Sequence, residues 1–146
     1  MAIAQPAVSP LQAAIELRAV VGRLLRGFRE AGADDALTPP QASALMRLGK
    51  GGVSTVSTLA AAEKVRPQSM AATVEALESL GLITRTPDTN DGRRQIIDVT
   101  DAGWARIDGA KESAAAWLET TLAAELTPAE LATIHEATAI LERVLA

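Results

Sequence analysis

Apolar residues recur at helical spacing along most of the chain, and this pattern predicts a mainly α-helical fold. A first helix is expected over residues 10–30, with one apolar stripe formed by Leu17, Val21, Leu24 and Phe28. Further valine and leucine residues widen this face. The helix therefore carries more apolar surface than a single neighbouring helix would cover.

Three predicted helix starts share one local pattern, in which Ser or Thr is followed by Pro, then by any residue, then by Glu or Gln. The pattern occurs at residues 9–12, 38–41 and 127–130. The hydroxyl group can cap a free backbone N–H, proline suits the first helical position, and the Glu or Gln side chain can bond back to the cap. A helix is therefore predicted to begin at the proline of each pattern.

The second helix is expected to bury Leu45, Met46 and Leu48. It is predicted to stop within the glycine-rich residues 49–52, because glycine weakens a helix. A short helix capped by Ser54 or Thr55 should follow, with Leu59 pointing inward, and a turn at residues 63–66 leads to the next helix. The buried side of that helix and its exit is expected to hold Met70, Val74, Leu77, Leu80 and Leu82.

After this helix the period changes from that of a helix to that of a strand. Residues 83–86 alternate between apolar and polar, residues 87–92 form a polar turn, and residues 95–99 are predicted as the return strand. A long helix over residues 101–124, capped by Thr100, and one further helix complete the order. Two short helices followed by a β-hairpin make a winged helix-turn-helix, so the predicted fold is mainly α with a small β-hairpin wing.

The composition excludes several classes of site. The chain has no cysteine and one histidine, His135, which excludes a disulfide framework, a zinc finger and a thiol redox sensor. The sequence offers no Ser/His/Asp or Cys/His set, so we expect no enzyme activity, no metal and no other cofactor. Aromatic residues make up only 2% of the 146 residues, and a partner subunit could supply burial that small side chains do not.

The N-terminal segment favours a cytoplasmic protein without a membrane span. Residues 1–10 lack the basic region of a signal peptide, and Glu16, Arg18 and Arg23 interrupt the apolar stretch that follows. We therefore expect a soluble, intracellular chain.

The formal net charge of −4 argues at first against a nucleic-acid partner, but the charge is unevenly distributed. Residues 101–146 hold three basic and eight acidic residues, a net charge of −5. Residues 38–100 hold seven basic and six acidic residues, a net charge of +1. The middle of the chain is therefore compatible with a binding surface for DNA.

The helix that begins at Pro67 has the chemistry of a DNA-reading helix. Gln68, Ser69 and Thr73 lie away from its buried face, and Arg66 stands at its entry. Glutamine can pair with adenine through two hydrogen bonds, and hydroxyl groups can reach bases or phosphates in the major groove. An ordinary amphipathic helix with a polar face is the alternative interpretation.

The order and spacing of several short motifs resemble the MarR family. Residues 65–70 (VRPQSM) and 77–85 (LESLGLITR) are similar to that family's recognition helix and first wing strand. Residues 91–94 (DGRR) and 99–103 (VTDAG) resemble its wing tip and the start of the next helix. The likeness covers roughly residues 10–145, with matches to the family's earlier helices at 37–41 (LTPPQ) and 55–60 (TVSTLA).

The resemblance implies a homodimer that binds a pseudo-palindromic DNA duplex, usually as a repressor, with release by a small and commonly aromatic or phenolic effector. It implies that Arg93 enters the minor groove, that Asp91 holds this arginine in place, and that Arg94 adds a phosphate contact. A plain hairpin turn is the alternative interpretation of the wing tip.

An effector pocket is predicted at Arg47, Arg85 and Trp104. The two arginines could pair with an anionic effector and Trp104 could line its pocket, although structural ion pairs and packing would explain the same residues. The predicted organisation is a single domain over residues 1–146.

Within this domain we predict a winged-helix DNA-binding region at 38–100 and a helical dimerisation region at 10–31 and 101–146. The alternative function is a winged-helix module for protein–protein interaction without DNA binding, which the net acidity favours.

Overall fold

The computed structural model describes residues 8–32 and 36–146. The described residues form six helices and one antiparallel two-stranded sheet. In chain order these are α1 (Pro10–Ala31), α2 (Pro39–Gly51), α3 (Val56–Glu63), α4 (Pro67–Ser79), β1 (Ile83–Pro87), β2 (Gln95–Val99), α5 (Asp101–Glu125) and α6 (Pro128–Leu145). This order confirms the predicted mainly α fold with a β-hairpin wing.

The chain divides into two compact units, Gly32–Glu112 on the one hand and Met1–Ala31 with Ser113–Ala146 on the other. The Gly32–Glu112 unit extends beyond residue 100, where the predicted winged-helix region ends. It does so because Gly103 and Ile107 of α5 are buried in its core.

The helix starts carry the capping hydrogen bonds that the sequence pattern predicts. At α6, Thr127 Oγ1 accepts from the backbone N–H of Glu130 at 3.3 Å, and Thr127 N–H donates to Glu130 Oε2 at 2.8 Å. The Thr127 N–H, and after it the Thr127 hydroxyl, which donates to Glu130 Oε2 at 2.7 Å, hold the pKa of the Glu130 carboxyl below its usual value. Thr55 is the cap of α3, since its hydroxyl accepts from Thr58 N–H at 3.2 Å.

The core of the Gly32–Glu112 unit contains the apolar residues that helical spacing selects. Those predicted to be buried and found so are Leu45, Leu48, Leu59, Met70, Val74, Leu77 and Leu82. Met46 is half-buried and packs against them. The prediction for Leu80 was wrong: it is 49% exposed, because α4 has ended there and the chain turns at Gly81 with a φ of +73°.

The glycine-rich segment ends α2 at Gly51, and Gly52 adopts a φ of +74°. Gly49, however, is helical and serves close packing instead of breaking the helix. A Cβ atom at this position would lie 2.7 Å from Ile107 Cδ1, so the missing side chain lets α5 approach α2. The sequence alone did not reveal this second role.

The wing is tied to the helices at both ends of the hairpin. Ser54 and Ile97 exchange two backbone hydrogen bonds of 3.0 and 2.8 Å, which join the segment before α3 to β2. At the other end, Thr100 Oγ1 donates to Gly81 O at 2.7 Å and accepts from Gly103 N–H at 3.1 Å. The second bond confirms Thr100 as the cap of α5.

The other unit is held by a few contacts between α1 and the second half of α5. Phe28 and Trp117 meet edge to face with their ring centroids 5.7 Å apart. Gly27 makes room for the indole ring, which a Cβ atom at this position would overlap. Leu17 and Val21 of the predicted stripe stay 40% and 42% exposed.

Candidate nucleic-acid interface

Helix α4 has one buried face and one polar exposed face, as its spacing predicts. Met70, Val74 and Leu77 are 3%, 0% and 0% exposed and fix the orientation of the helix on the core. Gln68 and Ser69 are exposed on the first turn. The fold therefore turns the start of α4 outward, which a helix needs in order to contact base edges.

The polar residues of α4 differ in how free they are to bind. Thr73 is half-buried and its hydroxyl donates to Ser69 O at 3.1 Å, so its hydrogen is engaged within the helix. Gln68 has no side-chain partner among the described residues. Arg66 is exposed at the N-cap of α4, where its backbone is extended. Of the four predicted residues, Thr73 is the least available to DNA.

Between the strands, backbone hydrogen bonds build the wing tip. Asp88 N–H donates to Arg94 O at 2.9 Å, and Arg94 N–H donates to Asp91 O at 2.9 Å. Asp91 Oδ1 accepts from the backbone N–H of Arg93 at 3.1 Å. The contact of Asp91 is thus with the backbone of Arg93, and Asp91 orders the segment that carries this arginine.

Arg93 and Arg94 are both exposed. Among residues 8–32 and 36–146, the ion pairs involve other cations, namely Arg47, Arg85 and Lys111. Both wing guanidinium groups are thus available to an anionic ligand. The structure brings these arginines onto the same compact unit as the exposed face of α4.

Ion pairs already engage two of the three residues predicted for an effector pocket. Arg47 Nε on α2 donates to Glu63 Oε1 on α3, and Ser43 Oγ donates to Glu63 Oε2 at 2.5 Å. Arg85 on β1 donates to Glu78 Oε2 on α4 through Nε at 2.8 Å and through Nη2.

These bonds shift the pKa values of Glu63, Glu78 and Arg85. Hydrogen bonds from Arg47 and then from Ser43 hold the pKa of Glu63 below its usual value. The bond from Arg85 does the same for the pKa of Glu78, and in return the pKa of Arg85 is raised. Glu63, Glu78 and Arg85 are therefore charged at neutral pH.

Trp104, the third predicted pocket residue, is 38% exposed on α5. Arg47 lines a cavity of about 220 Å³ together with the end of α2 and residues of α3. Arg85 and Trp104 are not among the described residues that line it. The structure therefore does not gather the three residues around this cavity, and the pocket stays a prediction.

A larger cleft, of about 460 Å³, lies beside the wing and was not expected from the sequence. The start of α3 forms one wall and the wing forms the other; the lining residues are Thr55, Val56, Ser57, Thr58, Arg93, Arg94 and Gln95. The sequence signal that could have pointed to it is the run of hydroxyl residues just before Leu59.

No cluster of three or more His, Cys, Asp or Glu side chains that could hold a metal ion occurs in the part of the chain that the structure describes. Within the same residues, no helix has the length and apolarity that crossing a membrane requires.

Residues 37–94 match the family model described as the MarR family. An HTH-type transcriptional regulator of Mycobacterium tuberculosis is 32% identical over 115 residues, which are 79% of this chain and 80% of the relative. The chain belongs to the MarR family. It is accordingly a DNA-binding transcription regulator with a winged helix-turn-helix.

Solved structures agree with the MarR fold. A mutant of MarR from E. coli superposes with a TM-score of 0.72 at 23% identity, covering 97% of this chain and 100% of that one. A mutant of MepR from S. aureus, bound to an oligodeoxyribonucleotide, superposes with a TM-score of 0.65 at 19% identity, covering 92% and 98%. At these identities the likeness concerns the fold.

Proposed function

We propose that this MarR-family protein is a repressor that binds a pseudo-palindromic DNA operator as a homodimer. In each subunit, α4 enters the major groove and the wing reaches the adjacent minor groove. The observation that carries this proposal is that one compact unit presents both an exposed polar face on α4 and two wing arginines that are free among the described residues. Binding in two neighbouring grooves requires both features.

In the major groove, Gln68 and Ser69 carry the sequence preference. Both are exposed on the first turn of α4, and a glutamine side chain can pair with adenine through two hydrogen bonds. Arg66, at the N-cap, is placed to contact a phosphate beside the groove. Thr73 contributes mainly as an acceptor, because its hydrogen is bonded to Ser69 O.

In the minor groove, Arg93 supplies the charge. A narrow minor groove has an enhanced negative potential that attracts arginine. The bond from Arg93 N–H to Asp91 Oδ1 limits the conformations of the wing tip, so less freedom is lost when the guanidinium enters the groove. Arg94 adds a phosphate contact.

The terminal helices support a homodimer. Helices α1 and α6, both described over their full length, contain no buried residue, although they have 22 and 18 residues. Large apolar side chains on them are exposed, among them Leu11 at 71%, Ile15 at 52%, Leu25 at 51% and Ile140 at 52%. Isolated helices gain most of their stability from packing an apolar face, and exposed apolar patches mark association surfaces. A second copy of the chain would cover them.

An effector that releases the repressor from DNA belongs to the proposal, and a small aromatic or phenolic molecule is the class we favour. Trp104 offers a partly exposed ring for stacking. An anionic effector at Arg47 or Arg85 would have to compete with Glu63 or Glu78, which already neutralise these arginines. Trp104 is therefore the stronger candidate of the three.

We propose that the protein acts in the cytoplasm, where operator DNA of a bacterial regulator is found, and that it has no catalytic role. Relatives that are 32% identical to it are named as transcriptional regulators, which supports the second statement.

A gel-shift titration against duplex fragments selected from the genome tests the proposed contacts. Arg93→Ala should weaken binding to every duplex and reduce the slope of log affinity against log salt by about one unit. Lys111→Ala, which removes one positive charge from α5 of the same compact unit, should leave binding unchanged. Gln68→Ala should instead change which sequences bind best, by about 1–3 kcal/mol at one base position.

Two results of this titration would count against the proposal. Equal binding by Arg93→Ala and the wild type would remove the wing from the interface. If the wild type bound no duplex even at low salt but captured a protein partner, the protein-interaction alternative, which the net charge of −5 on residues 101–146 favours, would replace it.

A further inference from the structure

We propose that the cleft between the start of α3 and the wing is a binding site for one phosphate of the DNA backbone, with Ser57 as a hydrogen-bond donor to it. This inference rests on the proposed mode of DNA binding and adds a contact to it. The two walls of the cleft come from segments that are far apart in the sequence, and the lining residues on the wing side are Arg93, Arg94 and Gln95.

The cleft is held in shape by hydrogen bonds that do not involve its ligand-facing side chains. Ser54, just before α3, and Ile97 on β2 exchange two backbone bonds of 3.0 and 2.8 Å. The backbone of Arg94 is fixed on both sides, because its N–H donates to Asp91 O and its carbonyl accepts from Asp88 N–H, each at 2.9 Å. The arginine side chains therefore project from an ordered base.

The chemistry of the lining suits a phosphate. None of the lining residues is acidic, and two of them are arginines without an ion-pair partner among the described residues. Guanidinium and hydroxyl groups are the side chains that most often contact phosphate oxygens in complexes with DNA. The volume of about 460 Å³ leaves room for a phosphate and part of its sugar.

Ser57 is the hydroxyl residue best placed to donate to this ligand. The Thr55 hydroxyl donates to the Thr58 hydroxyl at 3.0 Å and accepts from Thr58 N–H, so its hydrogen is engaged, and the Thr58 hydroxyl already has one partner. Ser57 is exposed and its hydroxyl has no partner within the part of the chain that is described. It can therefore turn toward the arginines across the cleft.

The expected path of the duplex indicates that a backbone phosphate would occupy the cleft. When a helix-turn-helix lies in a major groove and a wing in the next minor groove, one sugar–phosphate backbone runs between them. The cleft lies between the helix-turn-helix and the wing. A contact here fixes the register of the protein on the duplex and carries no sequence preference of its own.

A matched pair of charge substitutions tests the site. Ser57→Glu places a carboxylate in the cleft, and Ala102→Glu places one at the second residue of α5, which is the same helical position in the same compact unit and lies outside the proposed dimer contacts. Both positions are exposed, and an acidic residue in a first helical turn favours the helix, so both variants should fold. Circular dichroism checks this.

Ser57→Glu should weaken duplex binding about tenfold and reduce the salt slope by about one unit, because it neutralises an arginine and repels the phosphate. Ala102→Glu should bind like the wild type. A series of duplexes can carry one neutral methylphosphonate at each backbone position in turn. At one position per half-site, this replacement should weaken binding of the wild type but should not weaken binding of Ser57→Glu any further.

The outcomes separate this inference from the proposed function and from a free anion as ligand. If the wild type binds duplex and both variants bind equally well, the cleft is not a backbone site. If, in that case, inorganic phosphate at constant ionic strength shifts the amide NMR signals of Ser57 and Arg94, the site takes a free anion and the inference is wrong. If the wild type binds no duplex, the proposed function itself fails.

Discussion

Gly103 shows how a single missing side chain determines the position of an element. It lies in the first turn of α5, where a Cβ atom would overlap the carbonyl oxygen of Leu82 and lie 2.7 Å from Val99 Cγ1. The first of these neighbours is backbone and cannot rotate away. The close approach also lets Thr100 N–H donate to Leu82 O at 3.1 Å.

Gly103→Ala should therefore destabilise the protein by about 1–3 kcal/mol, as overpacking of a filled core does. Gly109→Ala on the same helix has nothing within 4 Å of the new atom, and it should stabilise the protein by about 0.5–1 kcal/mol through helix propensity. Urea unfolding followed by circular dichroism measures both. Equal stability of the two variants would show that the contact at residue 103 does not constrain the fold.

Residue roles could be predicted from the sequence where they depend on neighbours in the same helix, and not where they depend on a residue far away in the chain. Burial of Leu45, Val74 and Leu77 follows from spacing within one helix, so the sequence was enough. The packing role of Gly49 depends on Ile107, which belongs to a helix much later in the chain. No local pattern contains that information.

Helices α2 and α3 are joined by a charged contact that gives this part of the fold a pH dependence. Glu63 on α3 accepts from Arg47 and Ser43 on α2, and these bonds lower its pKa in the folded state. In the unfolded chain Glu63 titrates near its ordinary value of 4.5. The stabilisation is therefore complete above that pH and is lost as the pH falls toward the lowered pKa of the folded state.

Glu63→Gln should lower the free energy of unfolding by about 1 kcal/mol at pH 7, the usual size of one partly exposed charged hydrogen bond. The difference from the wild type should shrink at acidic pH, because protonation of Glu63 in the folded wild type removes the same charged bond. Glu119→Gln, an exposed substitution on α5, should change little at either pH. A difference for Glu63→Gln that is the same at both pH values would contradict the proposed cause.

The same difference applies to the wing, where the turn depends on adjacent residues and the cleft beside it depends on residues far apart in the chain. The turn and its exposed arginines were predictable, because the glycine and the charged residues stand next to one another. The cleft wall at Ser57, which faces these arginines, was not predictable, because its position depends on the backbone hydrogen bonds between Ser54 and Ile97. Sequence reasoning therefore predicted the two exposed arginines of the wing but not the cleft wall that faces them.

In the molecule as a whole, the two compact units differ in how far their apolar side chains are buried. The Gly32–Glu112 unit has a closed apolar core, whereas α1 and α6 of the other unit, described in full, bury no side chain. The first unit can thus be explained from one chain. We propose that the second is half of a dimer interface, in keeping with the wide apolar face of α1.

The central claim is that two copies of the chain hold two α4 helices on one duplex, about one helical turn apart. Sedimentation velocity of the protein alone and with a selected operator duplex tests it most directly. The account predicts a dimer in the absence of DNA and a complex of two chains per duplex. A stable monomer, or a complex of one chain per duplex, would contradict it.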